Sequence, residues 1–143
     1  MRKIAIYFTA ALMSAVLSSC SSVFSAGDAK IVGEYFLSEL KDGRIDNNVF
    51  IHSQRNLNDL EITDENVLKI MDSGIFNWAS FYDDSTILIY EGAFSQVCCG
   101  YLVTDGKQYD EGDFNIGWNA FDGEKITLSK TKYDSVYYFQ AGL

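Results

Sequence analysis

Apolar and polar residues alternate with period two along Lys125-Ile126-Thr127-Leu128-Ser129, which predicts a strand with one buried face. Other runs rich in β-favouring residues cover the aromatic stretch at 75–82, then Thr86 to Tyr90, and Ser135 to Ala141. Turn signals separate them. Asp42-Gly43, Asp105-Gly106 and Asp122-Gly123 each lie between such runs, and Asp-Gly suits the two-residue hairpin turn because both central positions take positive φ. Asp83-Asp84-Ser85 marks a fourth turn. One segment has helical spacing instead: Val67, Leu68, Ile70 and Met71 recur behind Thr63 as N-cap, with Asp64 and Glu65 at the positive end of the dipole and Gly74 to close it. Ile62 and Val67 fit a hydrophobic staple across that cap. Trp78-x-x-Phe81-x-Asp83 and Trp118-x-x-Phe121-Asp122 echo one another, each ahead of a turn and an apolar strand. The expectation is a mainly β domain, with α+β as the alternative, built as an antiparallel meander sheet or small barrel with one short helix at about 63–73.

The first 20 residues follow a different rule. Arg2 and Lys3 precede an apolar stretch from Ile4 to Leu17 that is broken only by Thr9 and Ser14, the layout of a secretory signal. The stretch is shorter than the roughly 20 apolar residues that a membrane-spanning helix needs. It ends in Leu17-Ser18-Ser19-Cys20, which resembles the lipobox of bacterial lipoproteins. The resemblance implies that the Cys20 thiol is joined to diacylglycerol, that the chain is cut between Ser19 and Cys20, and that the new amine is acylated as well. Two or three acyl chains hold a protein at a bilayer permanently, whereas one gives marginal binding. The competing reading is an ordinary secretory signal with a soluble product. Ser21 after the cysteine implies, in the proteobacterial pattern, sorting to the outer membrane. The expected organisation is a signal peptide at 1–19, a lipidated tether at 20–29 and a single periplasmic domain at 30–143.

Gly33-Glu34-Tyr35-Phe36-Leu37 is similar to the Gly-x-Trp opening of lipocalin-like small β-barrel lipoprotein domains, with Tyr35 in the Trp position. That resemblance implies a meander barrel or half-barrel and carries no ligand with it. Removing residues 1–19 leaves 124 residues, enough for one cored domain. Of the charged residues, 9 basic ones then face 20 acidic ones, a net charge of −11. Such a surface repels nucleic acid, so no nucleic-acid partner is expected. Nine Tyr, ten Phe and two Trp argue for a folded rather than a disordered chain.

Candidate chemistry is sparse. Cys98 and Cys99 are the thiols left once Cys20 carries lipid. In an oxidising compartment they form a strained vicinal disulfide, pair with another chain, or stay buried as small hydrophobes. Neighbouring residues of a strand point to opposite faces, which opposes the first option unless Gly100 marks a bulge. His52 is the single histidine, and no Gly-x-Ser-x-Gly elbow accompanies it. No catalytic residue, metal or cofactor is therefore assigned. Asp105, Asp110, Glu111 and Asp113 crowd one stretch without the spacing of a calcium loop. Trp78, Phe81, Trp118 and Phe121 are candidates to line a pocket for an apolar ligand, against the plainer reading that they fill the core.

These observations favour a lipid-anchored protein of the bacterial envelope, on the periplasmic face of the outer membrane. It acts as a non-enzymatic binding or structural module for a protein or a small apolar ligand. Two alternatives stand beside it: an immunity or inhibitor protein whose acidic surface masks a basic toxin or enzyme, and an envelope enzyme using carboxylates or Cys98-Cys99.

Overall fold

A computed structural model of the chain describes residues 24–52, 59–74, 76–94, 97–115 and 125–142. Seven strands form one antiparallel sheet: β1 (Phe50–His52), β2 (Trp78–Asp83), β3 (Thr86–Phe94), β4 (Val97–Thr104), β5 (Gly112–Asn115), β6 (Lys125–Lys130) and β7 (Val136–Gly142). Their order across the sheet is β1-β2-β3-β4-β7-β6-β5. The first four strands make a meander, the last three make another, and β4 joins them by pairing with β7 from Val97↔Gly142 to Val103↔Val136. β1 and β5 remain as edges, so the sheet is open and the barrel form of the expected meander is not adopted.

The alternation at 125–129 builds β6 as expected, with Ile126 and Leu128 buried and Thr127 and Ser129 exposed. Asp83-Asp84-Ser85 makes the β2–β3 turn, where the Asp83 carboxylate accepts hydrogen bonds from Ser85 N and Oγ, both at 2.9 Å. The Asp-Gly pairs behave otherwise. Gly43, at φ 71°, follows the end of a helix, and Gly106, at φ 75°, opens the crossing from β4 to β5, two strands that do not pair. Positive φ is needed at both sites, but a helix end and a crossover use it as readily as a hairpin does. Asp122-Gly123 lies outside the described residues, between strands β5 and β6, which do pair.

Two helices cover one face of the sheet. α1 (Ala26–Lys41) starts at a capping box in which Ser25 Oγ accepts from Asp28 N and the Asp28 carboxylate accepts from Ser25 N. Its buried stripe, Ala29, Val32, Gly33, Phe36 and Leu37, has the three-and-four spacing of a helix. This helix takes in residues 26–29, which the sequence reading gave to a tether, and residues 33–37, which it gave to a barrel opening. The lipocalin-like segment is therefore helical. Gly33 allows the close seat of α1 on β4, since a Cβ there would lie 2.5 Å from Val103 Cβ.

α2 (Glu65–Asp72) is the helix predicted from Val67, Leu68, Ile70 and Met71, one residue later at its start. Asp64 caps it in place of Thr63, its carboxylate accepting from Asn66 N at 2.8 Å and Val67 N at 3.1 Å. A carboxylate makes the stronger cap at the positive end of the dipole. Thr63 N instead donates to Tyr35 Oη at 3.1 Å, which ties α2 to α1. Gly74, at φ 67°, closes the helix as expected. The main core lies between this helical layer and the sheet, around Phe36, Val67, Met71, Phe81, Ile89 and Val103.

Candidate functional site

Side chains suited to binding converge on the opposite face of the sheet, which no helix covers among the described residues. The strand register builds a row there. His52 pairs with Trp78, Trp78 with Tyr90, Tyr90 with Gly100, Gly100 with Phe139, and Phe139 with Leu128. Residues at such positions share a face, so six neighbouring strands contribute to one line of mostly aromatic residues.

The rings are in contact. Phe50 stacks on Trp78 with centroids 4.7 Å apart, and Trp78 on Tyr90 at 3.5 Å. Tyr90 meets Phe139 edge-on at 5.1 Å across Gly100, whose missing side chain leaves that space. Gly100 also permits the close approach of β3, because a Cβ at this position would lie 1.9 Å from the Ile89 carbonyl oxygen. Exposure grades along the row: Phe50 is 40% exposed, His52 and Trp78 are half-buried, and Tyr90 and Phe139 are buried. The row thus runs from the open edge strand into the interior.

One polar group on this face is notable. Ser80, two residues from Trp78 on β2 and 4% exposed, has a buried hydroxyl with no hydrogen-bond partner among the described residues. A buried hydroxyl left this way costs about 1–3 kcal/mol.

The other end of the face is closed by the 105–111 crossing. Tyr109 N donates to Tyr137 Oη at 3.2 Å, and Tyr109 and Thr86 share a hydroxyl–hydroxyl bond of 2.9 Å. Lys107 Nζ donates to Asp83 Oδ2 at 2.6 Å. Burial pushes the Asp83 carboxyl up, but the bonds from Lys107 and Ser85 outweigh it, and the net shift is below its ordinary value. The same bond raises Lys107 above its ordinary value, helped by Tyr109.

The candidate pocket residues separate. Trp78 lies in the row, whereas Phe81, at odd spacing from it, is buried under the helices. Trp118 and Phe121 lie outside the described residues, as does Cys20. Cys98 and Cys99 both sit in the β3–β4 and β4–β7 ladders. Cys99 is buried with Sγ 3.9 Å from Glu91 Oε2, and the side chain of Cys98 is outside the described residues. The bulge expected at Gly100 falls on the facing strand, where Glu91 is the extra residue between Tyr90 and Gly92.

His52 lies at the end of the edge strand, its ring 4.9 Å from Phe50. The acidic stretch is dispersed: Asp105 pairs with Lys41 at 3.4 Å, Glu111 accepts from Lys130 N at 2.8 Å, and Asp113 accepts from Thr127 Oγ1 at 3.5 Å. No group of three candidate metal ligands occurs among the described residues. Tyr90, Phe139, Phe50 and Ser80 were not among the sequence candidates. Their common face depends on register between strands, and a single sequence does not encode register visibly.

Comparisons with protein-family models, curated proteins and solved structures give no match to this chain.

Proposed function

We propose that this protein is a lipid-anchored binding module of the bacterial cell envelope that holds a small apolar or aromatic ligand on the helix-free face of its sheet. The observation that carries the reading is the row Phe50-Trp78-Tyr90-Phe139, which leads from an exposed edge into the interior beside the Ser80 hydroxyl. Stacked rings offer a ligand large contact area at low entropic cost, and one buried hydroxyl fixes its orientation. The lipobox resemblance at Leu17-Ser18-Ser19-Cys20 supports the anchor and the envelope location. No catalytic role is assigned to any residue.

Native mass spectrometry of the full-length protein, extracted gently from membranes, tests this reading. The expected species carries acyl chains on Cys20 and a bound small molecule. Trp78→Ala should retain the lipid and lose at least about tenfold in affinity for that molecule, or for the neutral probe 1-naphthylamine, as removal of a central stacking anchor implies. A lipidated protein that binds no apolar probe, or that binds it equally well without Trp78, overturns the proposal. A basic protein found in place of a small molecule would point instead to the inhibitor reading, which the net charge of −11 after processing favours.

A further inference from the structure

Phe24 stands four positions after Cys20 and is 1% exposed. Its ring packs on Phe76 at 5.5 Å and on Tyr101 at 5.6 Å, and its carbonyl accepts a hydrogen bond from Tyr101 Oη at 3.3 Å. The next residue, Ser25, is fixed by the capping box of α1. The fold therefore takes hold of the chain at Phe24. Only Ser21, Ser22 and Val23 separate it from Cys20. Whatever their conformation, four peptide steps reach at most about 14 Å. A domain of about 120 residues has a radius of gyration of about 14 Å, and hence a diameter well above 30 Å. Such a leash is too short for the domain to turn over.

We propose that the domain is seated on the bilayer in a fixed orientation, with the end of the sheet that carries Asn77 and the β3–β4 hairpin toward the lipid head groups. This rests on the reading of Cys20 as the lipid anchor.

The direction follows from how α1 crosses the sheet. Phe24 lies over Tyr101 and Phe76, Gly33 over Val103, and Lys41 beside Asp105. The helix thus points toward the end of β4 at Thr104 and leaves Phe24 toward the end where β3 and β4 meet at Phe94↔Val97. Asn77, next to Phe76, is exposed at that same end, and its N–H donates to the Tyr90 carbonyl. Asp83, Asp84 and Asp105 belong to the turns of the far end, where Asp105 N donates to the Ser85 carbonyl at 2.8 Å. The seven steps from Val97 to Thr104 place that end about 23 Å from the hairpin.

Depth-dependent quenching tests the seating. The full-length lipoprotein, with a fluorophore on Asn77→Cys or on Asp84→Cys in the β2–β3 turn, is reconstituted into vesicles of phosphatidylethanolamine and phosphatidylglycerol with head-group nitroxide lipid. The parent chain, labelled alike, serves as the blank for Cys98 and Cys99. Quenching at position 77 should exceed that at 84 by about threefold or more, since the two positions flank the whole of β2. About twelve Gly and Ser residues inserted between Ser22 and Val23 should bring the two values together. Equal quenching in the parent leash overturns the seating while leaving the anchor intact. A protein whose mass shows no lipid on Cys20 removes the anchor itself, and the seating with it.

Discussion

The two faces of the sheet solve the same burial problem with different materials. On one, Ile51, Ala79, Ile87, Ile89, Val103 and Val136 form a mainly aliphatic floor that also holds Phe81 and Tyr101, and two amphipathic helices close over it with Val32, Phe36, Val67 and Met71. On the other, Tyr90, Tyr137 and Phe139 pack among Leu88, Leu102, Ile126 and Leu128, with Trp78, Tyr82 and Tyr109 partly buried against them, and the cover among the described residues comes from a crossing segment held by tyrosine hydroxyls and the Lys107–Asp83 pair. Aliphatic side chains packed under a helix gain stability from every methylene. Aromatic rings stacked toward an open edge gain less from burial but keep faces and edges that another molecule can use. The first face is where stability resides, and the second is where binding would.

The sharpest way to test that division is to remove one large ring from each face. Phe36, on the buried face of α1 and 1% exposed, packs in the main core, and Phe36→Ala should cost about 3–5 kcal/mol of unfolding free energy. It should not alter probe binding in the fraction that remains folded. Trp78 is half-buried at the open end, so Trp78→Ala should cost only about 1–2 kcal/mol, the loss of its ring contacts and partial burial, while abolishing binding. Urea denaturation followed by circular dichroism measures both. Equal losses of stability would mean that the aromatic row is simply a second core.

Much of this arrangement was legible in the sequence, and the failures have physical causes. The period-two run at 125–129, the turn at 83–85 and the short helix behind Ile62 could be read because local pattern alone specifies them. α1 was missed because its first turn is built from small residues and its middle holds Gly33, which weakens a helix judged locally. The capping pair Ser25 and Asp28, together with the stripe Ala29-Val32-Phe36, was the available signal, and tertiary contact with Val103 turns the glycine from a defect into a fit. The pairing of Trp78 with Phe81 as pocket residues failed on strand geometry, since a separation of three along a strand reverses the face, as it would not on a helix. The aromatic row itself joins residues from 12 to 89 positions apart, and only pairing between strands brings them together.

The smallest effect expected concerns the cover of the aromatic face. Asp83 is held below its ordinary carboxyl value of 3.8, so the folded state binds that proton less readily than the unfolded chain. Its contribution is fully present above the unfolded value and is lost as pH falls through the lower folded one. Lys107 is shifted the other way, above its ordinary value of 10.5, so its contribution is present below that value and is lost as pH rises through the folded one. Asp83→Asn should therefore lower the urea midpoint near pH 6, by less than Trp78→Ala does because the pair is open to solvent. The gap between variant and parent should close as pH drops below the ordinary carboxyl value. A gap that persists unchanged into acid would assign the role of Asp83 to shaping the Ser85 turn, which an amide can also do, and would leave the crossing to its bonds with Thr86, Thr104, Lys130 and Tyr137.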